Sequence, residues 1–165
     1  MARSSDRRWV LVLIAALVIA VDRVTKLWVQ AHVEIGHTIV VWPHVFRISH
    51  VLNTGAAFSM FEGTKSQAMV RWGLIGFSVL AVLVVIGLLW KMGRTLTMTS
   101  VALSLILGGA VGNLYDRIVY KHVVDFLQVF IVHYHWPDFN VADSCIVVGA
   151  CLLLLEMLKP QKDRD

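Results

Sequence analysis

Two aspartates stand where a charge is costly: Asp125 in His122-Val-Val-Asp-Phe126 and Asp143 in Phe139-Asn-Val-Ala-Asp-Ser144, each beside an apolar segment of membrane length. Ionisable groups in such places point to function before structure. Two carboxylates held close share a proton, because their repulsion raises one pKa and leaves the other low, so that one acts as base and the other as acid. Such a pair activates water against a peptide carbonyl without a metal or a nucleophilic serine. Helix capping, or pairing with Arg117 and Lys121, is the competing structural account of the same residues.

Further polar residues surround them. Asn113, Asp116 and Arg117, in Gly108-Gly-Ala-Val-Gly-Asn-Leu-Tyr-Asp-Arg117, recur at i, i+3 and i+4 and share a helix face directed toward the bundle. Asp116 reads as part of a structural Asn-Asp-Arg hydrogen-bond cluster, and Gly108, Gly109 and Gly112 as small residues that let a neighbouring backbone approach. Asn140 and Asp143 repeat the i, i+3 relation. Asn53-Thr-Gly-Ala-Ala-Phe58 has turn chemistry, and its Asn53 and Gly55 can present donors to an extended peptide or form a simple tight turn. Asp22 and Lys26 are four apart on one face, an ion pair with Lys26 snorkelling outward.

The elements that must position these residues are membrane elements. Among 165 residues, 58% are hydrophobic and 16% charged, with a mean hydropathy of +0.72, which is wrong for an ordinary soluble domain. The net charge of +4 and pI near 9.3 do not mark nucleic acid, since no Lys/Arg run is interleaved with aromatics. The basic residues flank apolar segments instead, a topology signal. Cys145 and Cys151, six apart in one apolar run, fall on different helix faces and read as small buried hydrophobes.

Thr95–Tyr115 runs 21 residues and Trp72–Trp90 runs 19 without a charge, each near the roughly 20 a spanning helix needs. Trp9–Val21 is uncharged for 13 residues before Asp22, Arg23 and Lys26. A signal-peptide core would fit that length, with Val18-Ile-Ala20 as cleavage site, but Leu27, Trp28 and Val29 resume the apolar pattern and favour a retained helix. Phe139–Leu155 is the fourth segment, entered after Pro137 and left at Lys159, Pro160 and Lys162. Helices are therefore expected over about 9–29, 70–90, 95–117 and 139–158, in one domain covering 1–165.

Arg3, Arg7 and Arg8, then Lys91 and Arg94, then Lys159, Lys162 and Arg164 share one side if four helices alternate, and the positive-inside rule makes that side, with both termini, cytoplasmic. The connections 30–68 and 118–138 then face outward. The first contains Thr38-Ile-Val-Val-Trp42 and Val45-Phe-Arg-Ile-Ser49, β-branched runs that predict a small sheet within a β-rich loop over about 31–62. The fold class expected is an all-α membrane protein of four transmembrane helices with that small extracytoplasmic β-subdomain between helices 1 and 2. Asp125 and Asp143 then lie at one depth, near the outer surface.

The ordered set Asn53-Thr-Gly-Ala-Ala-Phe-Ser59, Gly108-Gly-Ala-Val-Gly-Asn-Leu-Tyr-Asp-Arg117, Val123-Val-Asp-Phe126 and Phe139-Asn-Val-Ala-Asp-Ser144, across four hydrophobic segments, resembles type II (lipoprotein) signal peptidase over nearly the whole chain. The resemblance implies an aspartyl endopeptidase of the bacterial inner membrane with four spans and an extracytoplasmic active site. Its implied substrates are diacylglyceryl-modified prolipoproteins, cut just before the lipid-bearing cysteine. Asp125 and Asp143 match the family's catalytic pair, and Asn53, Gly55, Asn113, Arg117 and Asn140 match polar positions of its substrate groove. Asp22-Arg-Val-Thr-Lys26 matches a first motif that usually begins Asp-Gln, from which Arg23 departs. Asp22, Lys26 and Asp116 are expected to support the site. The implied partners are the prolipoprotein and membrane lipid, with no nucleic acid, metal or cofactor. A monomer acting after prolipoprotein diacylglyceryl transferase is expected, with Asn53 to Phe61 covering the cleft.

Other chemistries fit less well. His133 and His135 alternate as on a strand face, and His32, His37, His44, His50 and His122 lie outside the core segments, but the chain has no His-Glu-x-x-His sequence for a zinc protease. Ser104 and Ser144 lack a Gly-x-Ser-x-Gly setting. A small ion-coupled carrier or assembly factor relaying protons through Asp22, Asp125 and Asp143 would place carboxylates near mid-membrane rather than at one rim.

Overall fold

The computed structural model describes residues 6–55, 64–132 and 134–159. Arg3, most of the cover expected over Asn53 to Phe61, His133, Pro160, Lys162 and Arg164 fall outside the described residues.

Four helices form the bundle: α1 (Arg8–His32), α2 (Thr64–Met92), α3 (Met98–Val119) and α4 (Val141–Met157). In α1 the buried residues are Leu11, Ala15, Val18, Asp22, Lys26 and Val29, a stripe at three- and four-residue spacing that faces the bundle. Its opposite face carries exposed Val12, Leu13, Leu17 and Val24, and Phe77, Leu80 and Leu83 of α2 and Val147, Val148 and Leu154 of α4 are exposed too. An outer surface this apolar suits lipid rather than water. Of the charges that interrupt α1 in sequence, Asp22 and Lys26 lie on its inner stripe and Arg23 is half-buried beside it, paired with Asp116. Ala68–Met92 and Met98–Val119 meet the length and apolarity of membrane spans by themselves. Cys145 is half-buried and Cys151 exposed. The expectation that both are buried is thus corrected for Cys151, because an apolar side chain gains nothing from burial where the exterior is itself apolar.

Helix α3 is central and packs against α1, α2 and α4. Glycines allow the close approaches. A Cβ at Gly108 would come within 2.8 Å of the Ala15 carbonyl oxygen of α1, and one at Gly109 would strike the Ala142 carbonyl oxygen of α4. Helix α3 starts three residues later than expected, because Thr97 is extended and forms a capping box with Ser100: Thr97 Oγ1 accepts from Ser100 N at 3.1 Å and Ser100 Oγ from Thr97 N at 2.9 Å. At its other end Lys121 takes a left-handed conformation (φ 66°) that turns the chain into a strand.

The strands are β1 (Thr38–Trp42), β2 (Phe46–Asn53), β3 (Val123–Ile131) and β4 (Tyr134–His135), joined as one antiparallel sheet in that order. The first two fall where the β-branched runs predict them. The expectation of an all-α chain with a sheet confined to the first connection is corrected: β3 and β4 come from the second connection, and β3 is the longest strand. Val123-Val-Asp-Phe-Leu-Gln-Val-Phe-Ile131 is rich in β-branched and aromatic residues, and pairing with β2 satisfies its backbone. Val124 and Phe126 of β3 pack on Val29 and Val33 at the end of α1, with Ile48, Leu52 and Val141 around them. This small core fixes the sheet to the bundle.

Candidate active site

Alternation along β3 aims the first aspartate. Val124 and Phe126 enter the core against α1, so Asp125 between them projects from the opposite face. It is nonetheless buried, 3% exposed, because α3 and the entrance to α4 close over that side. The β2–β3 register pairs Val51 with Asp125 and Asn53 with Val123, which makes Asn53 and Asp125 diagonal neighbours on one face. Asn53 Nδ2 donates to Asp125 Oδ2 at 2.9 Å. Its own Oδ1 accepts from Gly55 N at 2.8 Å, an Asx turn that needs the positive φ of Gly55 (82°). A Cβ at Gly55 would also collide with Leu74 of α2.

The second aspartate comes from the start of α4. Asn140 is its extended N-cap residue and not a residue of the helix itself. Asn140 Oδ1 accepts from Asp143 N at 3.0 Å, and Asp143 Oδ2 accepts from Asn140 N at 3.2 Å. With its oxygen so engaged, Asn140 turns its amide nitrogen to Asp125 Oδ1 at 2.7 Å. One buried side chain thereby joins the two aspartates, as donor to Asp125 and as reciprocal cap of Asp143. The capping account holds for Asp143, and it brings the carboxylate to the site rather than away from it.

Asn113 of α3 completes the wall, donating from Nδ2 to Asp143 Oδ1 at 2.8 Å. What orients this amide lies one turn deeper. Lys26 Nζ, a donor only, contacts Asn113 Oδ1 at 3.0 Å, so the amide nitrogen must face the carboxylate. Lys26 also meets Asp116 Oδ2 at 2.6 Å and Asp22 Oδ2 at 2.8 Å. It is wholly buried, which corrects the expectation that it snorkels outward. Two buried carboxylates and an amide oxygen hold the ammonium in place better than the rim could. Asp22 Oδ1 in turn accepts from Ala142 N at 2.9 Å, capping the first turn of α4 from α1.

Asp116 belongs to this buried cluster, but its cationic partners are Lys26 and Arg23, at 3.2 Å from Arg23 Nη1, and not Arg117 as the helix spacing suggested. Arg23 also donates to the Tyr120 hydroxyl at 2.6 Å and lies over the Tyr120 ring. The residue that departs from the motif therefore braces α1 against the end of α3. Arg117 is half-buried, with Nη1 donating to the Asn113 carbonyl oxygen at 3.3 Å, and its head is not brought to either aspartate. Gly112 lies beside the cluster, where a Cβ would come within 3.0 Å of Asp22 Oδ2.

Burial pushes the Asp125 carboxyl up to about 6 from its usual 3.8. The neighbouring Asp143 charge pushes the same way, while the amides of Asn53 and Asn140 and the Lys26 charge oppose it. Asp143 sits in the first turn of α4, where the helix dipole favours an anion. A buried carboxyl inclined to hold its proton, beside a second carboxyl, is an arrangement that general acid–base hydrolysis uses. Asp125 also lines a groove of about 490 Å³ that runs between the sheet and the approach to α4, past Asn53, Gln128, His135 and Asp138. Gln128 and Asp138 were not anticipated as site residues, and His135 was weighed only for a zinc site. Strict alternation along β3 would place Gln128 with Val124 and Phe126, on the face opposite Asp125; the irregularity at Phe126 and Leu127, whose amides both donate to the Phe139 carbonyl oxygen, brings it to the groove instead, and only the folded chain brings Asp138 to it.

The family model for signal peptidase (SPase) II matches residues 14–159. A lipoprotein signal peptidase of Solibacter usitatus is 41% identical over 157 residues, covering 95% of both chains. One of Pseudomonas putida is 46% identical over 153 residues, covering 92% of this chain and 88% of its own. Two solved structures described as bacterial membrane enzymes superpose with TM-scores of 0.80 and 0.81 at 29% and 30% identity, covering 94% and 92% of this chain and 92% and 94% of theirs.

Proposed function

This chain belongs to the signal peptidase II family, and we propose that Asp125 and Asp143 are the dyad with which it hydrolyses its substrate. It is a bacterial membrane protein and an aspartic peptidase that removes signal peptides from prolipoproteins. The observation that carries the dyad is Asn140, whose side chain bonds Asp125 and caps Asp143 at once. The same family membership disfavours a proton-relay carrier.

In the proposed reaction Asp125 begins protonated and Asp143 charged. Asp143 takes a proton from water as the water oxygen bonds to the scissile carbonyl carbon, while Asp125 gives its proton to the carbonyl oxygen. When the C–N bond breaks, the leaving nitrogen takes the proton from Asp143 and Asp125 regains its own, leaving a carboxyl on the signal peptide and an amine on the lipidated cysteine. Asn53, Asn113 and Asn140 hold the carboxylates in place, and Arg117 with the Asn53–Gly55 turn contacts the substrate backbone. Asp22, Lys26 and Asp116 lock Asn113 and the start of α4.

The proposed setting is the inner membrane, with all four helices spanning, both termini cytoplasmic and the dyad at the outer face, in a single domain over 1–165. The inward-turned charges of α1 and the apolar outer faces of the bundle support this. Substrates are diacylglyceryl-modified, so the enzyme, as a monomer, acts after the transferase that adds that group. They enter laterally with acyl chains still in lipid, since each CH₂ moved to water costs about 0.8 kcal/mol. The test is cleavage of a diacylglyceryl-modified and an unmodified prolipoprotein by the wild type, Asp125→Asn and Asp143→Asn. Cleavage of the modified substrate by the wild type alone is expected. Near wild-type turnover by either folded variant would overturn the dyad, and equal cleavage of both substrates would overturn the lipid requirement.

A further inference from the structure

Beyond the dyad, the groove ends at a polar cluster that the hydrolysis does not use. Asp138, on the approach to α4, has a side chain only 9% exposed. It accepts three hydrogen bonds, from Ser49 Oγ at 2.7 Å, Gln128 Nε2 at 3.3 Å and His135 Nε2 at 2.8 Å. Ser49 belongs to β2, Gln128 to β3 and His135 to β4, so one carboxylate ties three strands to the chain that leads into Asn140 and Asp143. Arg47 is the nearby cation of that sheet face, opposite Gln128 in the register, but it lies over the Phe130 ring at 4.8 Å. No ion pair joins it to Asp138 among the described residues.

The geometry points to the Asp138 cluster as a charge-reading subsite for the substrate segment that follows the cleaved bond. This rests on Asp125 and Asp143 being the dyad. With the signal helix among the membrane helices, the chain beyond the cut must leave through the extracytoplasmic elements, and the groove running from Asp125 to Asp138 is made of those elements. Ser49 and Gln128 are uncharged donors that spread the Asp138 charge without cancelling it, His135 pairs with it as an ion only when protonated, and the low dielectric of a half-closed groove lets the charge act over several ångströms. A cationic or neutral residue just after the cut is therefore accepted and an acidic one disfavoured. Asp138 and Gln128 determine specificity here and take no part in the bond-breaking.

The test uses the full chain in detergent with three diacylglyceryl-modified prolipopeptides that carry Lys, Gln or Glu as the second residue after the cut. At low ionic strength kcat/KM for the Lys peptide is expected to exceed that for the Glu peptide by about tenfold, and the ratio should shrink with salt. Asp138→Asn, which keeps the shape, should bring the ratio within about twofold, and Gln128→Glu should widen it. A wild-type ratio near one, or the same ratio in both variants, overturns the subsite. A uniform fall in all three substrates with an unchanged ratio would make Asp138 purely structural and also overturns it. Asp125→Asn assayed beside them separates the two readings, since cleavage by that variant would count against the dyad and leave the wild-type ratio intact as a measurement.

Discussion

Replacing Asp125 by Asn should abolish cleavage and at the same time change how stability depends on pH, and the second effect can be worked from the site. Burial lifts the Asp125 carboxyl from 3.8 to about 6 in the folded chain. The folded state then holds a proton that the unfolded chain has released, so stability is greatest at low pH and falls as pH rises from about 4 through about 6. At 1.36 kcal/mol per tenfold change in proton affinity the whole loss is about 3 kcal/mol, of which about 2 kcal/mol falls between pH 4.5 and 7.5. Asn at 125 cannot lose a proton and should show none of this loss. The variant carries a separate cost, since Asn53 and Asn140 are both pinned as donors and one must meet an amide N–H, at about 1–3 kcal/mol. That cost does not vary with pH. The measurable quantity is therefore the change with pH in the difference between the two proteins. Thermal unfolding in one detergent, at pH 4.5 and 7.5, should show the wild type losing about 4–8 °C relative to Asp125→Asn as pH rises. Parallel curves, or a wild type that gains on the variant with rising pH, would refute the claim that burial governs this carboxyl.

Asn140→Ala removes a donor that favours the Asp125 anion, so the descending limb of the kcat/KM pH profile should move to higher pH, with kcat lower by roughly 10²-fold; an unmoved limb would contradict the bridging role. Lys26→Met leaves Asp22 and Asp116 buried without their shared ammonium and should destabilise by about 3–5 kcal/mol, measured as lost folded yield and a lower Tm; a variant as stable as wild type would sink the buried-cluster account. Gly55→Ala forces a side chain into a left-handed turn against Leu74 and should cost about 1–3 kcal/mol and lower kcat, because Asn53 loses the donor that orients it. Gly55→Ala with Leu74→Ala should recover the packing but not the turn, and full recovery of kcat would refute the conformational argument.

Much of the site was legible because it is written in local pattern. The spacing of Asn140 and Asp143 implied an amide beside a carboxylate within the fourth helix, and the structure realises that spacing as a capping box at the helix entrance. The glycines of α3 implied close helix contact, and Gly108 and Gly109 meet the backbones of α1 and α4. The strand that carries Asp125 was less legible, because a run of nine mostly apolar residues after a membrane-length helix has no period that declares its partner, and its partner β2 lies some seventy residues earlier. The partners of Asp116 were misread for a related reason. Spacing finds neighbours on one helix, such as Arg117, but not the ammonium that a second helix presents.

By itself the sequence determined that this is a membrane protein with two aspartates at costly positions, since hydrophobic run length, flanking charge and local motifs are properties of short stretches of chain. The tertiary structure decided what those aspartates touch. Register across β2 and β3 brought Asn53 to Asp125, helix packing through glycine turned Lys26 inward onto Asn113, and the entrance to α4 set Asn140 between the two carboxylates. Hydrogen-bond partners and burial depend on groups tens of residues apart being held within about 3 Å, and only the packed chain imposes that distance.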